Sequence, residues 1–273
     1  MLLGVEPLSR KPFGPGGPQV AQLGLSGSYG IDAASVERAF HELGINYFFF
    51  TGRNDGVTAG LRNLIKAGHR ERLVIAGGAN VPTGFGVRGA FDKDRTKLGT
   101  DYLDVFQVFW VQYHWYVTGK TWPAMQKLKE EGKVRMLGMS IHDRPMARRL
   151  VDELALDMLM IRYNAAHRGA EQEILATLDP ARRPAIVAYT ATRWGKLLEP
   201  AAGLGPMTPE ECYRFPLGHP MVDVVLCGPK DWAELERDAH GVAMGPLPAA
   251  RLDEIKAFGD VVRKGVSRLA YGA

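Results

Sequence analysis

Residues 98–109 read Leu-Gly-Thr-Asp-Tyr-Leu-Asp-Val-Phe-Gln-Val-Phe, which predicts a turn followed by a buried β-strand, Leu103–Phe109. A helical pattern lies within Val87–Leu98 before this strand, and another, Trp122–Glu131, follows it. Short apolar runs alternate with helical patterns in this way along the whole chain. This alternation is typical of repeated βα units in a parallel sheet. Counted outward from Leu103–Phe109 as the fourth strand, the pattern predicts eight strands, most of them followed by a helix.

Eight such units predict a single (β/α)8 barrel domain over residues 1–273, because these barrels commonly have about 250 residues. The Gly/Pro-rich segment Phe13–Pro18 predicts a turn between two short strands, a hairpin that plugs one end of the barrel. Asp32 is expected to cap the helix Ala33–Leu43. Ala249–Arg263 predicts an extra C-terminal helix, and Trp110–Thr118 predicts a long aromatic loop. Functional residues of such a barrel lie where strands end and the following loops begin.

Composition excludes several classes of protein. The formal net charge of +4 comes from 34 basic and 30 acidic residues, a balance that predicts no nucleic-acid surface. The two cysteines, Cys212 and Cys227, have neither a disulfide framework nor metal-ligand spacing, so we expect no metal and a cytoplasmic location. We also expect no membrane segment, since no apolar run approaches about 20 residues. The sequence leaves the oligomeric state open.

Several short segments, taken in order along the chain, resemble the aldo-keto reductase family. Leu98–Asp104 is the most specific of them, and the others support it together. These others are Leu23–Gly30, Gly44–Phe48, Glu131–Arg135, Leu137–Ser140, Tyr163-Asn164, Ala188-Tyr189 and Gly228–Lys230. The resemblance covers roughly residues 20 to 245 and implies reduction of carbonyl compounds by a nicotinamide cofactor.

The resemblance also implies where the family's catalytic residues fall. The family uses a Tyr as general acid, a Lys and an Asp that tune it, and a His that orients the substrate. At the corresponding positions this chain has Asn54 for the Tyr, Gly78 for the Lys, Phe49 for the Asp and Phe109 for the His. General acid catalysis typically contributes about 10²–10⁴ in rate. We therefore expect ordinary carbonyl reduction by this chain to be very slow.

The resemblance implies a partly retained cofactor site, so NADP(H) binding and no cofactor remain alternatives. Ser140 and Tyr189 match family residues that contact the nicotinamide, the Tyr by stacking on its ring. The family's two amide-bearing side chains are replaced by Ile141 and Met160. At the phosphate end the candidates are Lys230, Thr190, Thr192, Arg193, Lys196 and Asp238, the last of which matches an adenine-binding Asn.

Other polar residues are expected at the barrel mouth if the chain is an enzyme. His114 and His142 are the best acid–base candidates, because histidine exchanges protons near neutral pH. Tyr29, Arg53 and Asn54 complete the catalytic candidates. Two of these residues keep a structural alternative: His142 as a hydrogen-bond partner of a neighbouring loop, and Tyr29 as a packing residue.

The replacements make the mouth apolar. Phe49, Phe109, Trp110 and Trp115 predict a pocket for a hydrophobic or aromatic small molecule. Three functions remain open. The first is a non-standard oxidoreductase. The second is a non-redox enzyme (a lyase, dehydratase, isomerase or cyclase) that uses His/Tyr acid–base chemistry. The third is a catalytically inactive binding protein.

Overall fold

A computed structural model describes residues 6–27, 29–53, 55–80 and 84–265, with the backbone alone at Gly84 and Phe85. Its ten strands are β1 (Arg10–Pro12), β2 (Gln19–Ala21), β3 (Leu23–Ser26), β4 (Tyr47–Phe49), β5 (Val74–Ala79), β6 (Leu103–Val111), β7 (Val134–Ile141), β8 (Met158–Arg162), β9 (Ala185–Tyr189) and β10 (Val224–Cys227). Its ten α-helices are α1 (Ala33–His41), α2 (Gly56–Lys66), α3 (Gly84–Leu98), α4 (His114–Thr118), α5 (Thr121–Glu130), α6 (Arg144–Leu154), α7 (Ala170–Glu173), α8 (Pro209–Leu217), α9 (Trp232–Ala243) and α10 (Ala249–Lys264).

Strands β3 to β10 close into a parallel eight-stranded barrel in the order β10-β3-β4-β5-β6-β7-β8-β9. The predicted (β/α)8 fold with additional C-terminal helices is confirmed. Asp32 accepts a hydrogen bond from the Ser35 amide at 2.7 Å and so caps α1 as predicted. Capping of this kind satisfies backbone amides that have no partner inside the helix.

The N-terminal hairpin closes one end of the barrel, as the sequence predicted. β1 pairs antiparallel with β2, and the turn between them buries Phe13 completely. The Phe13 ring packs against Tyr47 inside the barrel at a centroid distance of 5.0 Å. A Cβ atom at Gly14 would lie 3.1 Å from Ala185, the first residue of β9. The hairpin therefore covers the end where the strands begin and leaves the other end to form the mouth.

Alternating strand residues build two apolar layers. One set lies inside the barrel, and the other packs between the strands and the surrounding helices. The inner set is Phe13, Val20, Tyr47, Val74, Ala76, Val105, Met158, Met160, Ala185, Val187, Val224 and Leu226, with Phe49, Met136 and Tyr189 packed against it. Phe49 and Tyr189 are the last residues of β4 and β9, so they stand at the mouth.

The segment Leu98–Asp104 owes its place in the fold to a buried carboxylate. Asp104 accepts a hydrogen bond from the Ile75 amide at 2.9 Å and pairs with Arg70 at 2.9 Å and Arg135 at 3.0 Å. The guanidinium groups of Arg70 and Arg135 also lie over the Tyr102 ring, at 3.7 and 4.2 Å. This network ties three neighbouring strands together, which gives the segment a structural role.

Structure and prediction differ in the aromatic segment. Trp110–Thr118 was expected to be a loop, but β6 continues to Val111 through a shift in register after Val108, and α4 begins at His114.

Among the described residues, no helix is long and apolar enough to cross a membrane. The same part of the chain contains no group of three His, Cys, Asp or Glu side chains placed to hold a metal.

One polar side chain inside the barrel has no hydrogen-bond partner among the described residues. Gln107 on β6 is completely buried, and neither its Oε1 nor its Nε2 atom is paired. An unpaired buried polar group costs about 1–3 kcal/mol. We therefore expect Gln107→Leu to raise the free energy of unfolding by about 1–2 kcal/mol, as measured by urea denaturation. Gln107→Glu, with nearly the same shape, is the control and should be destabilising; a less stable Leu variant would show that the amide is satisfied.

Candidate active site

The mouth of the barrel contains an apolar floor made by three positions that contact one another. The Phe49 and Phe109 rings pack edge to face at a centroid distance of 5.6 Å, and both are partly exposed. A Cβ atom at Gly78 would lie 2.9 Å from Cζ of Phe109 and 2.1 Å from the backbone oxygen of Gln107. The backbone of β6 therefore leaves no room for a side chain at position 78. Asn54 lies outside the described residues.

Trp110 and Trp115, predicted to line a pocket with these rings, are largely exposed. Trp110 is 52% exposed and Trp115 63%. The Trp110 backbone has a left-handed φ of 52° and donates its N–H to Oγ of Ser140 at 2.8 Å. Trp115 stacks on Tyr113 at 5.9 Å. Both side chains are therefore open to solvent, and their place in a substrate pocket stays a prediction.

His114, predicted as an acid–base group at the mouth, forms an ion pair with a residue of an outer helix. Its Nε2 atom is 2.6 Å from Oε2 of Glu153, near the carboxyl end of α6. α6 begins at the mouth, directly after β7, and Glu153 is nine residues after its first residue, Arg144.

His142 is at the mouth, where it pairs with Tyr189. The Tyr189 hydroxyl lies 3.2 Å from each nitrogen of the His142 ring, and the two rings are 5.8 Å apart. Burial, reinforced by the charge of Arg162, lowers the pKa of His142 below its ordinary value of 6.5. Burial raises the pKa of Tyr189, whereas Arg162 acts to lower it. Both groups are therefore neutral at pH 7, and a proton can pass between them.

Arg162 is a mouth residue that reasoning from the sequence missed. It is the last residue of β8 and follows Met158 and Met160, both of which face the barrel interior. It is also in register with Tyr189 on β9. The alternation of strand residues places the Arg162 side chain on the inner face, at the level of Tyr189. The same alternation, read from the sequence, was the signal that could have identified it.

The residues predicted to hold a cofactor fall into two groups. Tyr189, Ser140 and Thr190 lie at the mouth, and the Thr190 hydroxyl is buried with no hydrogen-bond partner within the described ranges. Thr190 has a left-handed φ of 59° directly after β9. A buried hydroxyl without a partner favours a ligand group beside it, because leaving it unpaired costs about 1–3 kcal/mol.

The second group, predicted at the phosphate end of the cofactor, differs in how accessible its side chains are. Arg193 is buried and donates to the backbone oxygen of Val262 at 2.6 Å. Asp238, matched by resemblance to an adenine-binding Asn, is only 3% exposed and interacts with Tyr213 of α8. Burial raises its pKa to about 7. Lys230 is exposed but pairs with Glu234 at 2.9 Å, so it is the one of these three side chains that a phosphate can reach.

Tyr29 and Arg53 lie in loops at the same end of the barrel. Tyr29 is exposed, and its ring covers Gly228 so closely that a Cβ atom there would lie 2.4 Å from Cδ2. This favours the packing interpretation of Tyr29. Arg53 is exposed, and its backbone oxygen accepts a hydrogen bond from Oγ1 of Thr58 at 2.6 Å. The structure brings neither residue into contact with His142 or Tyr189 through a described interaction.

Comparisons with known proteins agree with the fold. Residues 79–207 match the model of the "Aldo/keto reductase family". The NADH-specific methylglyoxal reductase of Escherichia coli is 30% identical over 81 residues, and the uncharacterized oxidoreductase YtbE of Bacillus subtilis is 36% identical over 96 residues. These matches cover 29% and 33% of this chain but only 25% and 32% of the two relatives.

Solved structures match over a greater length. The holo form of aldo-keto reductase AKR11C1 from Bacillus halodurans superposes with a TM-score of 0.76 at 19% identity, covering 92% of this chain and 96% of that one. A putative aldo-keto reductase from Pseudomonas aeruginosa gives a TM-score of 0.73 at 19% identity, covering 89% and 98%. At this level of identity the likeness shows the fold.

Proposed function

We propose that this chain is a member of the aldo-keto reductase family and a nicotinamide-dependent oxidoreductase, which acts on a hydrophobic or aromatic small molecule through a non-standard proton-transfer group. The observation that carries the proposal is the hydrogen-bonded pair of Tyr189 and His142 at the barrel mouth. The positions to which the family resemblance assigns the usual Asp, Lys and His hold Phe49, Gly78 and Phe109, none of which can transfer a proton.

The mouth fits a nicotinamide ring in part. The Tyr189 ring offers a stacking surface, the unpaired Thr190 hydroxyl offers a hydrogen bond, and Oγ of Ser140 lies at the end of β7. Lys230 is the exposed cation for the phosphate end. When bound, the nicotinamide supplies or accepts the hydride. We propose NADP(H) as this cofactor.

The protein's own residues then position the substrate and move the proton. Phe49 and Phe109 form a floor that favours an aromatic ring and displaces water from it. In the oxidation direction the substrate hydroxyl gives its proton to the His142–Tyr189 pair, and in the reduction direction the pair gives a proton to the carbonyl oxygen. Since the pKa of His142 is lowered, the imidazole is neutral at pH 7 and ready to accept a proton.

The same neutral imidazole also supports the second candidate, a non-redox enzyme such as a lyase, dehydratase or isomerase. An imidazole base that is hydrogen-bonded to a phenol and lies beside an apolar floor is sufficient to abstract a proton without any cofactor. The dependence of turnover on added nicotinamide separates the two candidates, because only the oxidoreductase requires it.

The proposed function predicts a cofactor-binding result. Titration of the purified protein with NADPH should quench its tryptophan fluorescence in a saturable manner. Tyr189→Leu, which removes the stacking surface, should weaken binding by about tenfold, the equivalent of about 1.4 kcal/mol. Tyr113→Leu is the matched control, since Tyr113 is an exposed ring after β6, and the affinity of this variant should stay at the wild-type value. An absence of saturation at millimolar NADPH would contradict the proposed function.

A further inference from the structure

A cavity of about 220 Å³ lies outside the barrel, among residues of α7, α8 and α10. It is smaller than the about 300–1,000 Å³ of pockets for drug-sized ligands, so it suits a smaller molecule. The buried Tyr163 ring is part of its wall, with Phe215 at 5.8 Å and His219 at 6.2 Å between ring centroids. Leu252 of α10 adds an aliphatic side chain to the same lining. The residues of this cavity are not those of the mouth.

Two opposite charges line this cavity without neutralising each other. Glu171 lies on α7 and Lys256 on α10, and both residues are half-buried. Within the described ranges, neither side chain forms an ion pair with the other or with any other residue. Charged groups that are partly removed from water lose hydration, and a ligand group of opposite charge offsets that loss. The cavity therefore favours a ligand that brings a positive charge to Glu171 and a negative charge to Lys256.

A hydrogen bond holds the Glu171 carboxylate in place. Its Oε1 atom accepts the hydroxyl proton of Tyr163 at 2.8 Å. Burial and the charge of Glu171 raise the pKa of Tyr163, so the phenol keeps its proton and donates it. Because Tyr163 is only 2% exposed, it is a firm support for the carboxylate. The other oxygen, Oε2, accepts from no residue in the described part of the chain and is left for a ligand.

The other polar groups of the lining leave this charge pattern unchanged. Nδ1 of His219 accepts the Met221 amide proton at 3.3 Å, so Nε2 carries the proton of the neutral ring. Burial lowers the pKa of His219, whereas Glu171 acts to raise it, and the ring is neutral at pH 7. Arg214 is charged, but its guanidinium group donates to two backbone oxygens after α9 at 2.7 Å each. The free charges of the lining are therefore those of Glu171 and Lys256.

We propose that this cavity binds a small zwitterion, a free amino acid with an aliphatic side chain. Its ammonium group binds the Glu171 carboxylate, and its carboxylate binds Lys256. Its side chain packs on Phe215 and Leu252. A simple anion is repelled by Glu171 and a simple cation by Lys256 and Arg214, so a molecule that carries both charges fits best. This site does not rest on the proposed function, because neither a nicotinamide nor a mouth residue takes part in it.

The test is calorimetric titration with L-leucine and with two analogues that each lack one of its charges. Isocaproate has no ammonium group, and isopentylamine has no carboxylate. L-Leucine should bind at least tenfold more tightly than either analogue. Glycine has both charges but no side chain, and it should also bind at least tenfold more weakly, because no apolar surface is buried. This comparison of four probes uses the wild-type protein and does not depend on the folding of any variant.

Two variants should change the preference among these probes in opposite directions. Lys256→Gln should weaken L-leucine binding at least tenfold and bind isopentylamine at least as tightly as the wild type does. Glu171→Gln, whose side chain can still accept the Tyr163 proton, should weaken L-leucine binding equally and bind isocaproate at least as tightly as the wild type does. This reciprocal pattern separates the loss of a charge from the loss of structure, which would weaken every probe. Lys264→Gln, at an exposed position of the same helix α10, is the matched control and should bind all probes normally.

The outcomes separate this inference from the proposed function. Equal affinity for L-leucine and either analogue overturns the zwitterion site. An absence of saturation at millimolar L-leucine also overturns it, and this is the result expected if Glu171 and Lys256 close into a direct ion pair in solution. Saturable L-leucine binding in a protein that does not bind NADPH would support the site and reject the oxidoreductase, whereas NADPH binding without L-leucine binding would do the reverse.

Discussion

His142→Gln should lower kcat by about 10²–10⁴, the usual contribution of a general acid or base. Glutamine keeps a polar side chain of similar reach near the Tyr189 hydroxyl but cannot exchange a proton. The loss should therefore appear in kcat more than in KM. Steady-state turnover of aromatic carbonyl compounds and alcohols with nicotinamide cofactor measures this effect. His114→Gln is the matched control, because His114 pairs with Glu153 on the outside of the barrel and its replacement should leave kcat unchanged.

The role of His142 also predicts the direction in which turnover changes with pH. Oxidation, in which neutral His142 accepts a proton, should rise with pH through a pKa below 6.5. Reduction, in which the pair donates a proton, should fall as the pH rises through the same pKa. Both limbs should disappear in His142→Gln. Full turnover by this variant would remove the His142–Tyr189 pair from the chemistry.

Gly78→Ala should destabilise the protein by about 3 kcal/mol, at the upper end of the usual cost of overpacking. The new Cβ atom would meet the backbone oxygen of Gln107 at 2.1 Å, so strand β6 must move away from β5. Urea denaturation measures the change.

Gly89→Ala is the opposite case and serves as the control. Gly89 is an exposed position in α3, and a Cβ atom there would meet no atom within 4 Å. Alanine should therefore stabilise the helix by about 0.5–1 kcal/mol. If Gly78→Ala were as harmless as Gly89→Ala, position 78 would have space for a longer side chain, and the closed floor of the mouth would not exist.

The barrel could be predicted from the sequence because short apolar runs mark the strands and apolar residues recur at helical spacing along the helices between them. The hairpin followed from the Gly/Pro-rich turn at Phe13–Pro18, and the cap of α1 from Asp32. The aromatic segment was harder to predict. Trp110 has a left-handed backbone conformation that its residue type disfavours, and this conformation is stabilised by a hydrogen bond to Ser140, a residue 30 positions away.

The candidate site was predicted less completely, because side-chain direction depends on tertiary contacts. His114 and His142 both follow a strand, yet His142 contacts Tyr189 at the mouth whereas His114 pairs with Glu153 of α6. The sequence likewise did not reveal that Arg193 and Asp238 are buried, the first against α10 and the second against α8. The inward direction of Arg162 could have been read from the alternation along β8, since Arg162 follows Met158 and Met160 on the same face.

Transfer of deuterium from NADPH that carries deuterium at both C4 positions to an aromatic carbonyl compound tests the central claim most directly. Mass spectrometry of the alcohol product measures it. We expect one deuterium per product molecule in the wild type, at a rate that His142→Gln reduces at least a hundredfold. Product without deuterium, or transfer at the wild-type rate in His142→Gln, would contradict a nicotinamide-dependent reaction that relies on the Tyr189–His142 pair.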